Sequence, residues 1–194
     1  MTPEAPVNPQ VARSRAAAMD AGREILASDG WDAVTYVAVA ERSGVGRTTL
    51  YRHWPKIEEF LRDVLLRDLE MTHPTPTGAT REDLIAELDS LRIQLHVPSV
   101  ERSILTIIQR ASHNADFARL GSDLYQSCSR AIGQIIRAAR KGGDIDSTLD
   151  VPRAVAELAG PLVYQRLLGR KTFTRKFTET VVDDFLRAHR PSAR

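Results

Sequence analysis

The sequence predicts an all-α protein of about nine helices, with a small three-helix domain at the N-terminus and a larger helical domain after it. Apolar residues recur every three or four positions through most of the chain, which is the spacing of an amphipathic helix. No segment shows the alternation of apolar and polar residues that is typical of a strand. Glycine and proline separate the periodic segments and so mark the helix ends.

The composition restricts the class of protein. The chain has 194 residues and a formal net charge of +2, so any affinity for nucleic acid must come from local clusters of charge. A single cysteine, Cys128, excludes an intramolecular disulfide and a cysteine-rich metal cluster, and it fits a reducing compartment. No apolar run approaches the ~20 residues that span a bilayer, and no signal peptide is evident. We therefore expect a cytoplasmic protein without membrane association.

The N-terminal segment predicts a tail and then a helix. Residues 1–9 contain three prolines and little apolar material, which favours disorder. Gln10 to Ser28 should form the first helix, and Gly30 follows it as a stop signal. Its apolar stripe consists of Ala18, Met19, Gly22, Ile25 and Leu26.

The next segment predicts two short helices joined by a tight turn. Thr35 suits the N-cap of the first of them, and Tyr36 and Val39 fall on one face of that helix. Gly44 lies at the turn, where a positive φ costs glycine nothing. The second helix begins near residues 46–47 and must end before Pro55. With the first helix, this layout predicts a helix-turn-helix on a three-helix core.

The second short helix carries the chemistry of DNA recognition. Leu50 should point inward, while arginine, threonine and tyrosine point outward, and no acidic residue lies between Arg42 and Ile57. Arginine donates two hydrogen bonds to guanine, threonine methyls contact thymine, and tyrosine hydroxyls reach phosphates. The alternative is a solvated helical hairpin with a chance charge cluster. The predicted DNA-contacting residues are Thr35, Tyr36, Val37, Arg47, Thr48, Thr49, Tyr51, Arg52, His53 and Lys56.

Residues 35–54, which read TYVAVAERSGVGRTTLYRHW, resemble the DNA-binding segment of the TetR family of bacterial transcription repressors. The resemblance extends over roughly residues 13–70, and a weaker one covers the segment GPLVYQR at 160–166. It implies a DNA-binding domain followed by a ligand-binding and dimerisation domain. One position departs from the family pattern. Members commonly have lysine before the acidic pair, where this chain has Ile57, so Lys56 is the candidate for that phosphate contact.

A linker separates the two predicted domains. His73 to Ala79 contains two prolines and a glycine, which is typical of a connecting segment. The helix before it, Lys56 to Met71, would connect the DNA-binding domain to the remainder of the chain. We therefore assign residues 10–71 to the DNA-binding domain with its connecting helix, and residues 80–190 to the C-terminal domain.

Five further helices are predicted in the C-terminal domain: residues 80–95, a helix that opens at 98–99 and includes Ala111, residues 116–141, residues 151 to about 168, and residues 173–188. The sequence TRED at residues 80–83 favours a capping box at the start of the first. Asp150 suits the N-cap of the fourth. Pro161 lies inside that helix and predicts a kink or a break, because proline lacks the N–H that continues the helix.

The last two helices carry more apolar surface than one chain can cover, which predicts a homodimer. A single helix-turn-helix makes too few base contacts to select a site, and two held ~34–36 Å apart bind a palindromic operator. The alternative is that these apolar stripes face the remaining helices. The predicted interface residues are Val155, Leu158, Leu162, Phe177, Val181 and Phe185.

The family resemblance also implies a small-molecule effector, held in a mostly apolar pocket, that releases the protein from DNA. Polar residues on otherwise apolar faces are the candidates for its contacts, although each can instead be an ordinary core or surface residue. No cofactor and no metal site is expected, because no histidine has a partner at metal-ligand spacing. The candidate ligand contacts are Gln109, His113, Tyr125, Cys128, Tyr164 and Gln165.

An enzyme is not expected. The sequence has no glycine-rich phosphate loop, no GxSxG motif and no histidine with a recognisable catalytic partner. The sequence therefore predicts a ligand-responsive transcriptional regulator, a repressor that binds a DNA operator as a dimer. Two alternatives stay open. One is a helical sensor or scaffold of the same fold that no longer binds DNA, and the other is an activator.

Overall fold

A computed structural model describes residues 9–69 and 72–191. Within these ranges the chain forms nine α-helices and no strand, which confirms the all-α prediction. The chain divides into two compact units, Met1–Glu70 and Met71–Arg194. The helices of the first unit are α1 Pro9–Ser28, α2 Tyr36–Ser43, α3 Arg47–His53 and α4 Ile57–Asp68. Those of the second unit are α5 Thr80–Leu95, α6 Pro98–Ala111, α7 Ala115–Gly142, α8 Val151–Val163 and α9 Arg175–Ala188.

The helix ends depart slightly from the sequence-based bounds. Of the predicted tail at residues 1–9, residues 1–8 lie outside the described ranges, and Pro9 is the first residue of α1. Lys56 is the N-cap of α4 and not its first helical residue. Met71, the predicted last residue of that helix, also lies outside the described ranges.

The core of the first unit forms where α1 packs against α2 and α4. Phe60 and Val64 of α4 are buried beneath Gly22 of α1. A Cβ atom at position 22 would lie 2.5 Å from Cζ of Phe60 and 3.1 Å from Cγ2 of Val64. The absence of a side chain at Gly22 therefore allows α1 and α4 to approach closely.

Trp54, just after α3, fixes the end of that helix to α1 and α4. Its side chain is buried, and its Nε1 donates a hydrogen bond to Oδ2 of Asp63 at 2.9 Å. Arg15 of α1 forms an ion pair with the same Oδ2 at 2.6 Å, and its guanidinium lies 5.2 Å from the centre of the tryptophan ring. Asp63 thus joins three elements of the unit, which positions α3.

The core of the second unit surrounds α5, which packs against α6, α7, α8 and α9. Nearly all of its buried side chains are aliphatic, so burial of apolar surface is the main stabilising term. The larger core side chains of these helices that are at most 1% exposed are Leu84, Leu88, Leu95, Ile132, Ile136, Leu158, Leu162 and Val182.

Side chains of α5 fasten the linker to the second unit. Asp83 accepts hydrogen bonds from the backbone N–H groups of Thr77 and Gly78, at 2.8 and 2.9 Å. Oε1 of Glu87 lies 2.8 Å from Nδ1 of His73. Ser90 also donates a hydrogen bond to the carbonyl of Thr72, just before the linker. Residues 83, 87 and 90 are four and three positions apart, so they lie on one helical face.

The predicted capping box at the start of α5 does not form. The N-cap is Ala79, which has no side chain that could cap, and the Thr80 hydroxyl donates instead to Oδ2 of Asp144 at 2.6 Å. The Asp83 carboxylate instead accepts hydrogen bonds from the linker. Burial raises the pKa of Asp83, but the hydrogen bonds from Thr77 and Gly78 outweigh it and hold the pKa below its ordinary value.

The predicted break at Pro161 takes the form of a change in helix type. α8 continues through Pro161 to Val163, and residues Tyr164–Leu168 then form a π-helix. The N–H of Gly169 donates to the carbonyl of Tyr164 at 3.0 Å, five residues back. Arg166 fixes this segment, because it donates to the carbonyl of Leu95 at 3.1 Å and pairs with a carboxylate of α6.

Candidate nucleic-acid interface

The turn between α2 and α3 has the geometry that the sequence predicts. α2 ends at Gly44, whose φ of 70° lies in the left-handed region. Its N–H donates to the carbonyl of Ala40 at 2.9 Å, and the N–H of Val45 donates to the Ser43 hydroxyl at 3.1 Å. These bonds satisfy the end of α2 and fix the direction in which α3 leaves the turn.

α3 presents one polar face to solvent. Its one fully buried side chain is that of Leu50, which has no exposed surface. Thr49 and His53 are half-buried. The exposed side chains of the helix are those of Arg47, Thr48, Tyr51 and Arg52.

The charges on this face have no counter-ions among the side chains that the structure describes. Within residues 9–69 and 72–191, no carboxylate lies within ion-pair distance of Arg47, Arg52 or Lys56. Other arginines of the unit do have partners, as with Arg42 and Arg67, which pair with carboxylates of α1 at 3.5 and 3.0 Å. The α3 face is therefore positive without compensation, which suits a polyanion.

Lys56 and Ile57 stand where the family resemblance expects a cap and a lysine. Lys56 is exposed, and Ile57 is the half-buried first residue of α4. Lys56 therefore stays the predicted phosphate contact at this end of the surface.

Thr35 caps α2, as predicted. Its Oγ1 accepts a hydrogen bond from the N–H of Ala38 at 3.2 Å, and the side chain remains exposed. Val37, in the first turn of the same helix, is 48% exposed. The two side chains therefore lie on the surface at the start of α2.

Replacing Thr35 by alanine should lower the free energy of unfolding by about 1 kcal/mol, because it leaves a helical N–H without its partner. We also expect weaker binding to operator and to random DNA alike. Thermal unfolding and fluorescence anisotropy would measure both effects. Thr48→Ala is the matched control for the unfolding measurement, since Thr48 is exposed and caps no helix. Equal melting temperatures for Thr35→Ala and the wild type would contradict the prediction.

Tyr36 is a correction to the predicted set of DNA contacts. Its side chain is buried, and its hydroxyl donates to the carbonyl of Trp54 at 2.5 Å. Burial, and then the neighbouring Tyr51, raise the pKa of Tyr36 to about 12. The Tyr36 ring lies 4.4 Å from the ring of Tyr51, which is 53% exposed. Tyr36 therefore packs against the exposed Tyr51 and is not itself on the surface. Its place on the same helical face as Val39 had already indicated burial.

His53 is also less accessible than the sequence suggested. Its Nε2 atom is buried without a hydrogen-bond partner in the described part of the chain, and its ring packs against Trp54. Burial, and then the charges of Arg52 and Arg15, lower the pKa of His53. The imidazole is therefore neutral at pH 7 and adds no charge to the surface.

The predicted ligand contacts do not converge on one enclosed cavity. Four of them, Gln109, His113, Tyr125 and Tyr164, are exposed, while Cys128 and Gln165 are half-buried. Tyr125 lines an open groove of about 360 Å³ between α7 and α8. Helical periodicity could not separate exposed from enclosed polar residues, because it gives the face of a residue and not what covers that face.

Cys128 is not activated for redox chemistry. Burial, and then the charge of Glu87, raise the pKa of the Cys128 thiol above its ordinary value. The reactive form of cysteine is the thiolate, which a raised pKa disfavours at neutral pH. We therefore assign no redox role to this residue.

The predicted dimer contacts also need correction. Val155, Leu158, Leu162 and Phe185 are buried in the core of the second unit. Phe177 and Val181 are half-buried against the same core. These stripes face the helices of their own chain, because α8 and α9 cover α5 and α7. For the four buried residues the alternative weighed from the sequence therefore holds, whereas Phe177 and Val181 stay predicted interface residues.

Neither a membrane segment nor a metal cluster is found in the described ranges. No helix there is long and apolar enough to cross a bilayer. No group of three or more histidine, cysteine, aspartate and glutamate side chains there could hold a metal ion.

Comparisons with known proteins agree with this architecture. Residues 18–64 match the family of bacterial regulatory proteins, tetR family, and residues 74–185 match the tetracyclin repressor-like C-terminal domain. The HTH-type transcriptional regulator AqdR of Rhodococcus erythropolis is 29% identical over 161 residues, which cover 81% of this chain and 77% of that protein. The DNA-binding transcriptional repressor TetR of Mycobacteroides abscessus is 26% identical over 190 residues, covering 92% and 95%.

Solved structures show the same fold. The flavonoid-responsive regulator FrrA superposes with a TM-score of 0.72 at 20% identity, over 94% of this chain and 100% of that one. The relatives are transcriptional regulators, which confirms that an enzyme was not to be expected. The outer face of the helix-turn-helix is positive, and the two family models together span most of the chain. The chain therefore belongs to the TetR family of DNA-binding transcriptional regulators.

Proposed function

We propose that this protein is a repressor that binds a palindromic operator as a homodimer and leaves the DNA when a small-molecule effector binds. The observation that carries the proposal is the α3 face, where Arg47 and Arg52 project without carboxylate partners in the described ranges. The name of the Mycobacteroides abscessus relative supports a repressor, and the name of FrrA supports effector control. Because its target is the DNA of the cell, we place the protein in the cytoplasm.

Recognition of DNA would divide between two kinds of contact. Arg47 and Arg52 are suited to paired hydrogen bonds with guanine in the major groove, and Thr48 to a thymine methyl. Tyr51 and Lys56 are suited to phosphates, which fix the position of the helix without reading the sequence. The Thr35 end of α2 would approach the backbone of the duplex.

The dimer surface that we propose is a ridge on the outer side of α8. Exposed residues that are either small or apolar recur every four positions along this helix and the π-helix after it. Rows with this spacing are the ones that pack between helices, and small residues let the backbones approach closely. We call this row the α8 ridge; its members are Pro152, Ala156, Gly160, Tyr164 and Leu168.

Two members of the α8 ridge favour contact with a second copy. Tyr164 is 63% exposed and Leu168 is 72% exposed, so both leave large apolar surface in water in the single chain. Exposed patches of this kind commonly mark interaction sites. A second copy presents the same ridge, so the two can pair about a two-fold axis.

Gly160→Arg should convert the dimer into monomers. A Cβ at position 160 would meet no atom within 4 Å, so the larger side chain can be accommodated in the single chain. At a two-fold interface, however, two guanidinium groups would meet. Light scattering at micromolar concentration would measure the mass. Ala118→Arg on the exposed side of α7 is the control. An intact dimer for Gly160→Arg, or a monomeric wild type, would contradict the proposed interface.

DNA binding itself can be tested on sequences selected from the genome. DNA fragments would be captured with the purified protein, sequenced, and compared with scrambled duplexes of equal length by fluorescence anisotropy. We expect tighter binding to the captured fragments and a steep loss of affinity with salt, because each phosphate contact releases a counter-ion. No salt-dependent affinity for any duplex would contradict the proposal. It would favour the alternative of a sensor that no longer binds DNA.

A further inference from the structure

The open groove between α7 and α8, hereafter the α7–α8 groove, has a volume of about 360 Å³. This size is in the range of pockets that hold small organic molecules. Arg130 and Arg137 of α7 line it together with Val151 and Val155 of α8. The groove thus combines two cations with an apolar wall.

The two arginines lie two helical turns apart and project to the same side of α7. Both are exposed, and no carboxylate within residues 9–69 and 72–191 forms an ion pair with either. From residue 124 to residue 143 the sequence contains no acidic residue, while it contains Arg140 and Lys141 as well. The positive potential of this side of α7 is therefore not cancelled locally.

Gly133 gives the guanidinium of Arg137 its position. A Cβ at residue 133 would lie 3.2 Å from Nη1 of Arg137 and 3.3 Å from Cγ1 of Val151. The guanidinium therefore lies against the bare backbone of α7 and next to the start of α8, where it lines the groove.

The remaining lining residues complete an amphipathic site; they are Tyr125, Gln126, Ser129 and Pro152, the last of which also belongs to the α8 ridge. Tyr125 is 60% exposed, and its hydroxyl and that of Ser129 are possible hydrogen-bond donors at the groove. Val151 is half-buried and provides apolar surface beside the arginines, whereas Val155 is 4% exposed and adds little. Guanidinium groups bind carboxylates with paired hydrogen bonds, whereas Val151 favours an apolar ring or chain.

We propose that the α7–α8 groove binds an organic anion with an apolar body, and that such an anion is the effector of this regulator. The effector role rests on the proposed function, whereas the binding site does not. Carboxylate oxygens would face Arg130 and Arg137, and the apolar body would lie against Val151. An anion that binds this groove more tightly in the DNA-free protein would lower operator affinity by the same factor.

Calorimetry on the free protein tests the site with three anions, 2-naphthoate, octanoate and phenyl phosphate, and with the neutral analogue 2-naphthamide. We expect at least one anion to bind and the amide to bind much more weakly. Arg137→Gln and Arg130→Gln should each weaken anion binding about tenfold or more, as expected for hydrogen bonds to a charged group. Arg102→Gln, an exposed position on α6 outside the groove, should leave binding unchanged.

A second variant separates position from charge. Gly133→Ala keeps both arginines but places a methyl group 3.2 Å from Nη1 of Arg137, which displaces the guanidinium by a few tenths of an ångström, so anion binding should also weaken. No heat from any of the three anions, equal binding of naphthoate and naphthamide, or unchanged binding to Arg137→Gln would overturn the site.

The effector role has its own measurement. The anion that binds should raise the Kd for the captured operator in wild-type protein and leave it unchanged in Arg137→Gln. An anion that binds the groove without altering operator affinity would overturn the role of effector. If the protein binds no duplex at all, the proposed function fails, and the calorimetry still decides whether the groove is an anion site.

Discussion

Replacing Arg47 and Arg52 together by glutamine is expected to abolish selective binding to the operator. Each guanidinium that reads a base contributes about 1–3 kcal/mol, so the double variant should lose about a hundredfold or more in affinity. Both side chains are exposed and without carboxylate partners in the described ranges, so the fold should be unaffected. Fluorescence anisotropy would measure the affinity, and circular dichroism would check the helix content.

Arg67→Gln is the matched control for this experiment. Arg67 is a surface arginine of the same unit, but it lies on α4 and pairs with Asp20 at 3.0 Å. The single variants then assign the roles. A side chain that reads a base should relax specificity at one position, whereas a phosphate contact should weaken all sequences and lower the salt dependence. If the double variant footprints the operator like the wild type, the assignment of α3 as the recognition helix is wrong.

Gly22→Leu is expected to unfold the first unit. Even a Cβ at this position would lie 2.5 and 2.7 Å from ring atoms of Phe60, which is fully buried. Overpacking a core costs about 1–3 kcal/mol for a few extra methylenes, which is a large part of the stability of a domain of this size. Hydrogen exchange should therefore show loss of protection in α1 and α4, and DNA binding should disappear.

Two variants make the Gly22 experiment decisive. Ala16→Leu places the same side chain on the exposed side of α1 and should fold normally. Adding Phe60→Leu to Gly22→Ala should recover part of the lost stability, because the smaller side chain vacates the space that the new methyl needs. Normal protection of α1 in Gly22→Leu would show that the contact between α1 and α4 adjusts without cost.

The helix-turn-helix could be predicted because its determinants are local. Gly44 allows the left-handed backbone of the turn, Thr35 supplies the cap, and Pro55 limits the length of α3. Each effect acts within a few residues and depends on the chemistry of one side chain. The same holds for the outward direction of Arg47 and Arg52, which follows from the helical period once Leu50 is placed inside.

The errors share a different cause. Tyr36 was expected at the DNA surface, but its hydroxyl binds the carbonyl of Trp54, which is distant in sequence. Asp83 was expected to cap α5, but it binds the linker. In each case a local preference competes with a partner that only the folded chain brings near, and the buried hydrogen bond is the more stable alternative.

The sequence by itself determined the helical class, the position of the turn and the residues that face outward on α3. Only the tertiary structure decided which apolar stripes are used within one chain, because Val155, Leu158 and Phe185 are covered by helices of their own unit. The structure also brought Arg137 of α7 next to Val151 of α8. Periodicity gives the direction of a side chain, but the packing of distant segments determines what that side chain meets.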